Sequence, residues 1–574
     1  MHKFGLTALA AAFIVVILLG GTMFLRLDYF MDSEVLPKRY CFLAGVIVWA
    51  LAAALWHRGK IRIPVNYLTV SFFLLAGYVL FRDLFGSPAI EIWYAVGIPV
   101  LFVLCLNLPG RTTRYIDPVI AGLCILQGIY GLAECAGISP VYGGLPIQGA
   151  FDNPAGFACC IAMGYPFCLF YLHKRNGLKW CGLLGICVIC LGIIFSESRT
   201  GILMLATATI LFYGIKYRQL LCRFRKPAIL AFISLSTLLS VMLFHYKQES
   251  AMGRLAIWRN TLEMIPENPV FGGGSGYFIA NYMPCQAAYF AAHPDSRYAQ
   301  LASNVYHPFN EYLLLGTEYG IVGLGLLVLL LLALLKYARK DTPYFLICTM
   351  AGIGALFSYI SWYPYVWCVV VYALARLSRR VPGRKNVVFQ QRYTAIAGAV
   401  IFLGCAGCLY EDARFEYQWK NMAAKSLAGS SREMRPGYEK SYARWNGNPF
   451  FLYNYGAELN YIGEYDRSRR IMDTCRIYLD SYDVQIMQAD NYFHLGEWHE
   501  AETCYTTAAN MCPNRFVPLT GLLDIYIETR DAASADSIAR NILSKKVKVH
   551  SNITADAINK AKEYLGQAPA SIGM

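Results

Sequence analysis

Charged residues are scarce in this sequence: Asp, Glu, Lys and Arg make up 15% of the 574 residues, against 56% apolar residues. So little charge cannot cover the surface of a water-soluble chain of this length, which excludes an ordinary soluble enzyme. Several chemical signatures are missing too. No Asp-x-Asp pair stands on a loop between apolar runs, which argues against a diphosphate held through a metal. The Gly272–Gly276 run follows no strand and lacks a Lys-Ser/Thr ending, so it is not a P-loop but a tight turn. The pairs Cys187/Cys190 and Cys405/Cys408 lie inside apolar runs without His or carboxylate company, so neither metal nor redox use is expected of them. Most of the 19 Cys sit in such runs as small hydrophobes. Cys285, Cys475, Cys504 and Cys512 lie in polar segments, where pairing stays open.

What the chain has in abundance is apolar blocks of bilayer length. The first runs from His2-Lys3 to about Leu25; it resembles a signal peptide but lacks a small-residue cleavage site, so an uncleaved first helix is expected. Further runs lie near 40–56, 66–82, 91–107, 116–136, 154–173, 179–195, 201–215, 227–244, 311–335, 343–360, 362–378 and 393–410. The expectation is an all-α, polytopic membrane protein with about 12–13 spans.

The net charge of +14 is concentrated in alternate short loops: Arg58/Lys60/Arg62, Arg111/Arg114, Lys174/Arg175/Lys179, Lys216 to Lys226, Lys336/Arg339/Lys340 and Arg376 to Lys385. The intervening loops hold little beyond Arg26, Lys38, Arg39, Arg82 and Arg199. Positive-inside bias explains this pattern and puts the N-terminus in the cytoplasm, with the 245–310 loop and the C-terminal part outside. Nucleic-acid binding is not expected.

Residues 1–410 therefore read as the membrane domain, with 245–310 as its large outer loop, and 411–574 as a separate helical domain. In the latter, Ile462-Gly463-Glu464-Tyr465 recurs as Leu495-Gly496-Glu497-Trp498, with Ser468 and Ala501 at the matching small position and Pro513 closing the second unit. This spacing resembles tetratricopeptide repeats. Residues 515–549 look like a degenerate third unit and 414–446 like another helical pair. Such an array docks a peptide or partner protein, or serves as a spacer.

Four polar clusters fall on the outer side: Gln148–Pro154, Ser196–Gly201, Arg254–Arg259 with Glu267–Phe278, and Tyr306–Tyr312. Arg199, between two spans on the face that otherwise avoids basic residues, is a functional candidate, against a snorkelling Arg held by Glu197. Arg254 and Arg259 lie on a short amphipathic segment whose Trp258 suits a membrane surface, and Arg makes forked contacts with phosphate oxygens. His307, beside Asn310 and Glu311, has an imidazole whose ordinary pKa lies near neutrality and suits acid/base work on an acceptor.

Taken in order, Ser196–Gly201 (Ser-x-Ser-Arg-Thr), Arg254 to Trp258, Asn268-Pro269 with the Gly-rich run to Phe278, and His307-Pro308-Phe309-Asn310-Glu311-Tyr312-Leu313 before Glu318-x-Gly320 resemble the bacterial O-antigen ligase and O-antigen polymerase superfamily, which includes protein O-oligosaccharyltransferases. Members often carry a second His where this chain has Phe309. The resemblance implies a GT-C-like membrane glycosyltransferase without cofactor or metal, in the bacterial inner membrane. It would move a glycan en bloc from a polyprenyl diphosphate to an acceptor hydroxyl on the periplasmic face, with inversion. It further implies that Arg199, Arg254 and Arg259, with Ser198, bind the diphosphate, and that His307, Glu311 and Asn310 serve the acceptor. The acceptor is lipid A-core or an exported protein, with a growing glycan (polymerase) as the alternative. A transporter or a non-catalytic scaffold is the reading of another class; against it, the unusual polar groups collect at one face and no duplicated halves appear.

Overall fold

Apolar runs fold as helices because a bilayer offers no partner for a free backbone amide, and the computed structural model of the chain is helical almost throughout. It describes residues 2–56, 61–84, 89–109, 112–140, 147–174, 177–219, 248–337, 341–380 and 385–567. The span expected near 227–244 lies outside them, as do Arg58, Lys60, Arg111, Arg175, Arg223, Arg225, Lys226, Arg339, Lys340 and Arg384. Among the described residues, five helices are long and apolar enough to cross a membrane, within Leu36–Ala53, Arg114–Cys135, Pro154–Leu172, Leu178–Phe195 and Glu311–Tyr337. The chain is an all-α polytopic membrane protein.

By its contacts the chain divides into two compact units. The first comprises residues 1–243 and 309–418, the second 244–308 and 419–574.

In the first unit, three apolar runs are less regular than their composition suggests. Pro154–Leu172 breaks into Pro154–Ala162 and Tyr165–Leu172, and a Cβ on the intervening Gly164 would collide with Cys124. The helix Glu311–Tyr337 is kinked at Gly320, whose φ of 63° only glycine takes without strain. The carbonyl of Tyr319 at that kink accepts from the Tyr78 hydroxyl at 3.0 Å, and the Tyr319 hydroxyl donates to Asp83 at 2.8 Å. Third, Thr342–Phe357 and Pro364–Arg380 are separated by a short turn holding one 3-10 helix, Ile360–Trp362.

Two connections between apolar runs pair as antiparallel strands, Ile61–Pro64 with Asn386–Phe389. The last apolar helix also runs further than expected: Gln391–Lys425 continues well past residue 410, and after a break at Gly429 the helix Ser431–Trp445 follows, so the first helix expected within 414–446 is the end of the apolar one.

In the second unit, Gln248–Met264 and Tyr277–Ala292 form the first pair of helices, joined by a turn in which Gly272, Gly274 and Gly276 all have positive φ. Helical hairpins follow: Pro449–Tyr461 with Tyr465–Tyr478, Tyr482–Leu495 with Trp498–Met511, and Val517–Glu528 with Ala532–Ser544. Each hairpin turns on a left-handed residue, Gly463, Gly496 and then Arg530, and the amide after it reaches back to Leu459, Tyr492 and Tyr526 respectively. The small residues do the packing expected of them. Ser468 and Ala501 are fully buried, and the Ser468 hydroxyl donates to the Gly456 carbonyl at 2.7 Å.

Candidate functional site

In the first unit the Ser-x-Ser-Arg-Thr-Gly sequence is the connection between Leu178–Phe195 and Arg199–Lys216, and each residue has a local task. The Ser196 hydroxyl donates to the Ile193 carbonyl, Glu197 takes a left-handed conformation, and the Ser198 hydroxyl caps the next helix by accepting from the Gly201 amide at 3.3 Å. A side chain at Gly201 would strike Ile193 and Ala158, so glycine permits the close approach. Arg199 thus stands in the first turn of its helix, half-buried. Next to it, the Thr200 hydroxyl donates to the Phe357 carbonyl at 3.4 Å.

Asn310 and Glu311 open the kinked helix. The Asn310 side chain is buried and accepts from the amides of Tyr312 and Leu313, a helix cap. Glu311 accepts from the Ser361 amide at 2.9 Å and the Ser361 hydroxyl at 2.7 Å. Both side chains are therefore engaged within the protein.

The turn 357–363 is the meeting point of this unit, and sequence reasoning did not single it out. Phe357 meets Thr200, and Ser361 meets Glu311. Tyr363 donates to Asp152 at 2.7 Å and Tyr359 to the same carboxylate at 3.2 Å. The Asn153 amide donates to both tyrosine hydroxyls, at 2.9 Å for Tyr363, while its oxygen caps the helix Pro154–Ala162 by accepting from Gly156. Phe309 and Tyr359 are 5.5 Å apart edge to face. Arg39 lies over the Trp362 ring at 4.0 Å and the Tyr94 ring at 5.4 Å. Beside it Lys38 is buried, donating to the carbonyls of Glu34 and Ala150. The available signal was a pair of adjacent basic residues on an otherwise base-poor loop, and two Ser interrupting an apolar run.

In the second unit, His307 is half-buried in an irregular segment that follows the 3-10 turn Ala299–Leu301. The Trp258 indole donates to the Pro308 carbonyl at 3.0 Å, and the residue is half-buried. Arg254 lies one helical turn before Trp258 on the same face of its helix and is half-buried. Arg259 is engaged differently: its guanidinium donates to the Tyr289 hydroxyl at 3.2 Å, lies 4.6 Å from that ring's centre and is 3.5 Å from Glu263.

Cys285, Cys475, Cys504 and Cys512 are all unpaired. Burial pushes their thiols up, to about 11 for Cys285 and Cys504 and about 12 for Cys475 and Cys512, so none is a ready thiolate. No group of three or more His, Cys, Asp or Glu among the described residues is arranged to hold a metal ion.

No curated protein matches the chain. A family model does: that of O-antigen ligase matches residues 183–328, a stretch that encloses Ser198, Arg199, Arg254, Arg259, His307, Asn310 and Glu311. With a helical membrane fold, that match over the polar segment supports a place for the chain in the O-antigen ligase superfamily.

Proposed function

We propose that the chain transfers a preassembled glycan from a polyprenyl diphosphate to an acceptor hydroxyl on the periplasmic face of the inner membrane, with its N-terminus cytoplasmic and its C-terminal domain outside. The observation that carries this reading is the family match over 183–328, the stretch that holds Arg199, Arg254 and His307.

In the proposed step the acceptor oxygen attacks the anomeric carbon as the bond to the diphosphate oxygen breaks, so the configuration inverts. His307 takes the hydroxyl proton, and the guanidinium groups of Arg199 and Arg254 stabilise the charge that grows on the leaving diphosphate. Asn310 and Glu311, occupied in capping a helix and in holding Ser361, position the chain around this chemistry. Arg259, tied to Tyr289 and Glu263, has the lesser claim on the diphosphate.

The acceptor we favour is lipid A-core or an exported protein. The helical hairpins after residue 449, spaced like tetratricopeptide repeats, give a reason for a protein acceptor or partner. Purified protein in lipid, given a polyprenyl-diphosphate oligosaccharide and each acceptor separately, tests the choice. Glycan on one acceptor identifies it, a longer glycan still on the carrier indicates a polymerase, and a donor that does not bind overturns the reading in favour of a transporter or scaffold.

A further inference from the structure

The segment that delivers His307 has no regular secondary structure from Ala302 to Asn310, so its backbone carbonyls must find donors elsewhere. The donors come from side chains of the second unit, and they follow one another along the segment. The Asn514 amide donates to the carbonyls of Gln300 at 3.1 Å and Ala302 at 2.8 Å. Gln286, buried on the helix Tyr277–Ala292, donates to the Ser303 carbonyl at 3.2 Å and to the Met511 carbonyl at 2.6 Å. Asn304 donates to the Asp483 carboxylate at 2.8 Å and to the Tyr306 hydroxyl at 3.0 Å. Arg515 lies over the Tyr482 ring at 4.3 Å and 3.9 Å from Asp483, fixing the carboxylate that Asn304 meets. Trp258 then takes the Pro308 carbonyl.

The position of these groups in the hairpins makes the arrangement specific. Met511 ends the helix Trp498–Met511, where last-turn carbonyls lack partners within the helix, and Pro513 prevents its continuation. Asn514 and Arg515 are thus presented at the corner between the second and third hairpins, and Asp483 opens the second hairpin's first helix.

We propose that the C-terminal helices hold the segment 300–308 and so place His307, with Asn514, Asp483 and Gln286 as positioning residues for the transfer. This rests on the reading of His307 as the acceptor-side group, and it gives the C-terminal domain a task within the chain itself, with no docked partner required.

Two changes loosen the segment without removing a large side chain. Asn514→Asp sets a carboxylate against two carbonyls, and Asn304→Asp sets one against Asp483. Adding Asp483→Asn to Asn304→Asp restores one donor and one acceptor with their places exchanged. The full-length protein in nanodiscs is followed by hydrogen exchange and by initial rates of glycan transfer, wild type first. Exchange of the 301–307 amides should speed up roughly thirtyfold in Asn514→Asp, as for two lost neutral hydrogen bonds, and by at least about as much in Asn304→Asp, which loses one bond to a charged acceptor. Turnover should fall at least about tenfold at unchanged donor KM, and the exchanged pair should regain both.

Unaltered exchange in the single variants overturns the clamp. Faster exchange with full turnover overturns the positioning role. A wild-type protein that binds donor and moves no glycan overturns the transferase reading and the positioning role with it, while the exchange rates still decide whether the clamp exists.

Discussion

Replacing Glu311 separates a positioning carboxylate from a catalytic one. Its oxygen accepts two hydrogen bonds from Ser361, at 2.9 and 2.7 Å, and Ser361 belongs to the turn that also meets Thr200, Asp152, Asn153 and Arg39. Hydrogen bonds to a charged acceptor contribute about 1.5 kcal/mol each at the low end, so Glu311→Ala should release the turn by about 3 kcal/mol. If transfer follows the fraction of molecules with the turn in place, the rate should fall about 150-fold. Glu311→Gln keeps an acceptor oxygen and loses only the charge assistance, about half of that energy, so its rate should fall about tenfold. The assay is the initial rate in proteoliposomes, with the Tm of each variant in the same lipid. A Glu311→Gln protein as inactive as Glu311→Ala at wild-type Tm would refute the reasoning, because a base or proton donor is lost equally in both.

Arg199→Ala should lower transfer by about 10²–10³ while leaving expression and insertion unchanged, as for loss of a preorganised charge-stabilising group; a fully active variant would remove it from the site. Burial raises the Glu416 carboxyl from 4.5 to about 7, in the part of its helix beyond the apolar run, with Asp32 and Asp412 adding to the effect. The folded protein therefore binds this proton more tightly than the unfolded chain. Stability should be highest below about pH 4.5 and fall as pH rises towards 7, by at most about 3 kcal/mol. Thermal melts between pH 5 and 8 should show this slope in the wild type and lose it in Glu416→Gln. Arg530 holds the left-handed position that Gly463 and Gly496 fill in the preceding hairpins, so Arg530→Gly should stabilise the C-terminal hairpins by about 1 kcal/mol, read as a higher melting temperature.

The membrane helices and the hairpin period were legible because each is a local pattern. Apolar length marks a span, and a glycine before Glu464 and Glu497 marks a turn. The family motifs were legible for the same reason, being short runs whose residues cap or connect adjacent helices, as Ser198 and Asn310 do. The turn 357–363 was not, because its bonds to Asp152, Glu311 and Arg39 join residues far apart in sequence and impose no period on any of them. Nor was the grouping of 244–308 with the C-terminal helices, which depends on single side chains such as Asn514 and Gln286 finding distant carbonyls. The partner of the Trp258 indole was not legible either, because no local pattern points to the Pro308 carbonyl, fifty residues away.

The central claim is that this chain breaks the bond between glycan and polyprenyl diphosphate and makes a new one to an acceptor hydroxyl. Its most direct test is a single-turnover reaction of the full-length protein in lipid with doubly labelled donor, following the carrier and the glycan separately. The account predicts one free polyprenyl diphosphate for each glycan appearing on the acceptor, with inverted anomeric configuration, and a His307→Ala protein that still binds donor and releases neither product. Glycan crossing the membrane with its carrier bond intact, or equal transfer by the His307→Ala protein, would contradict it.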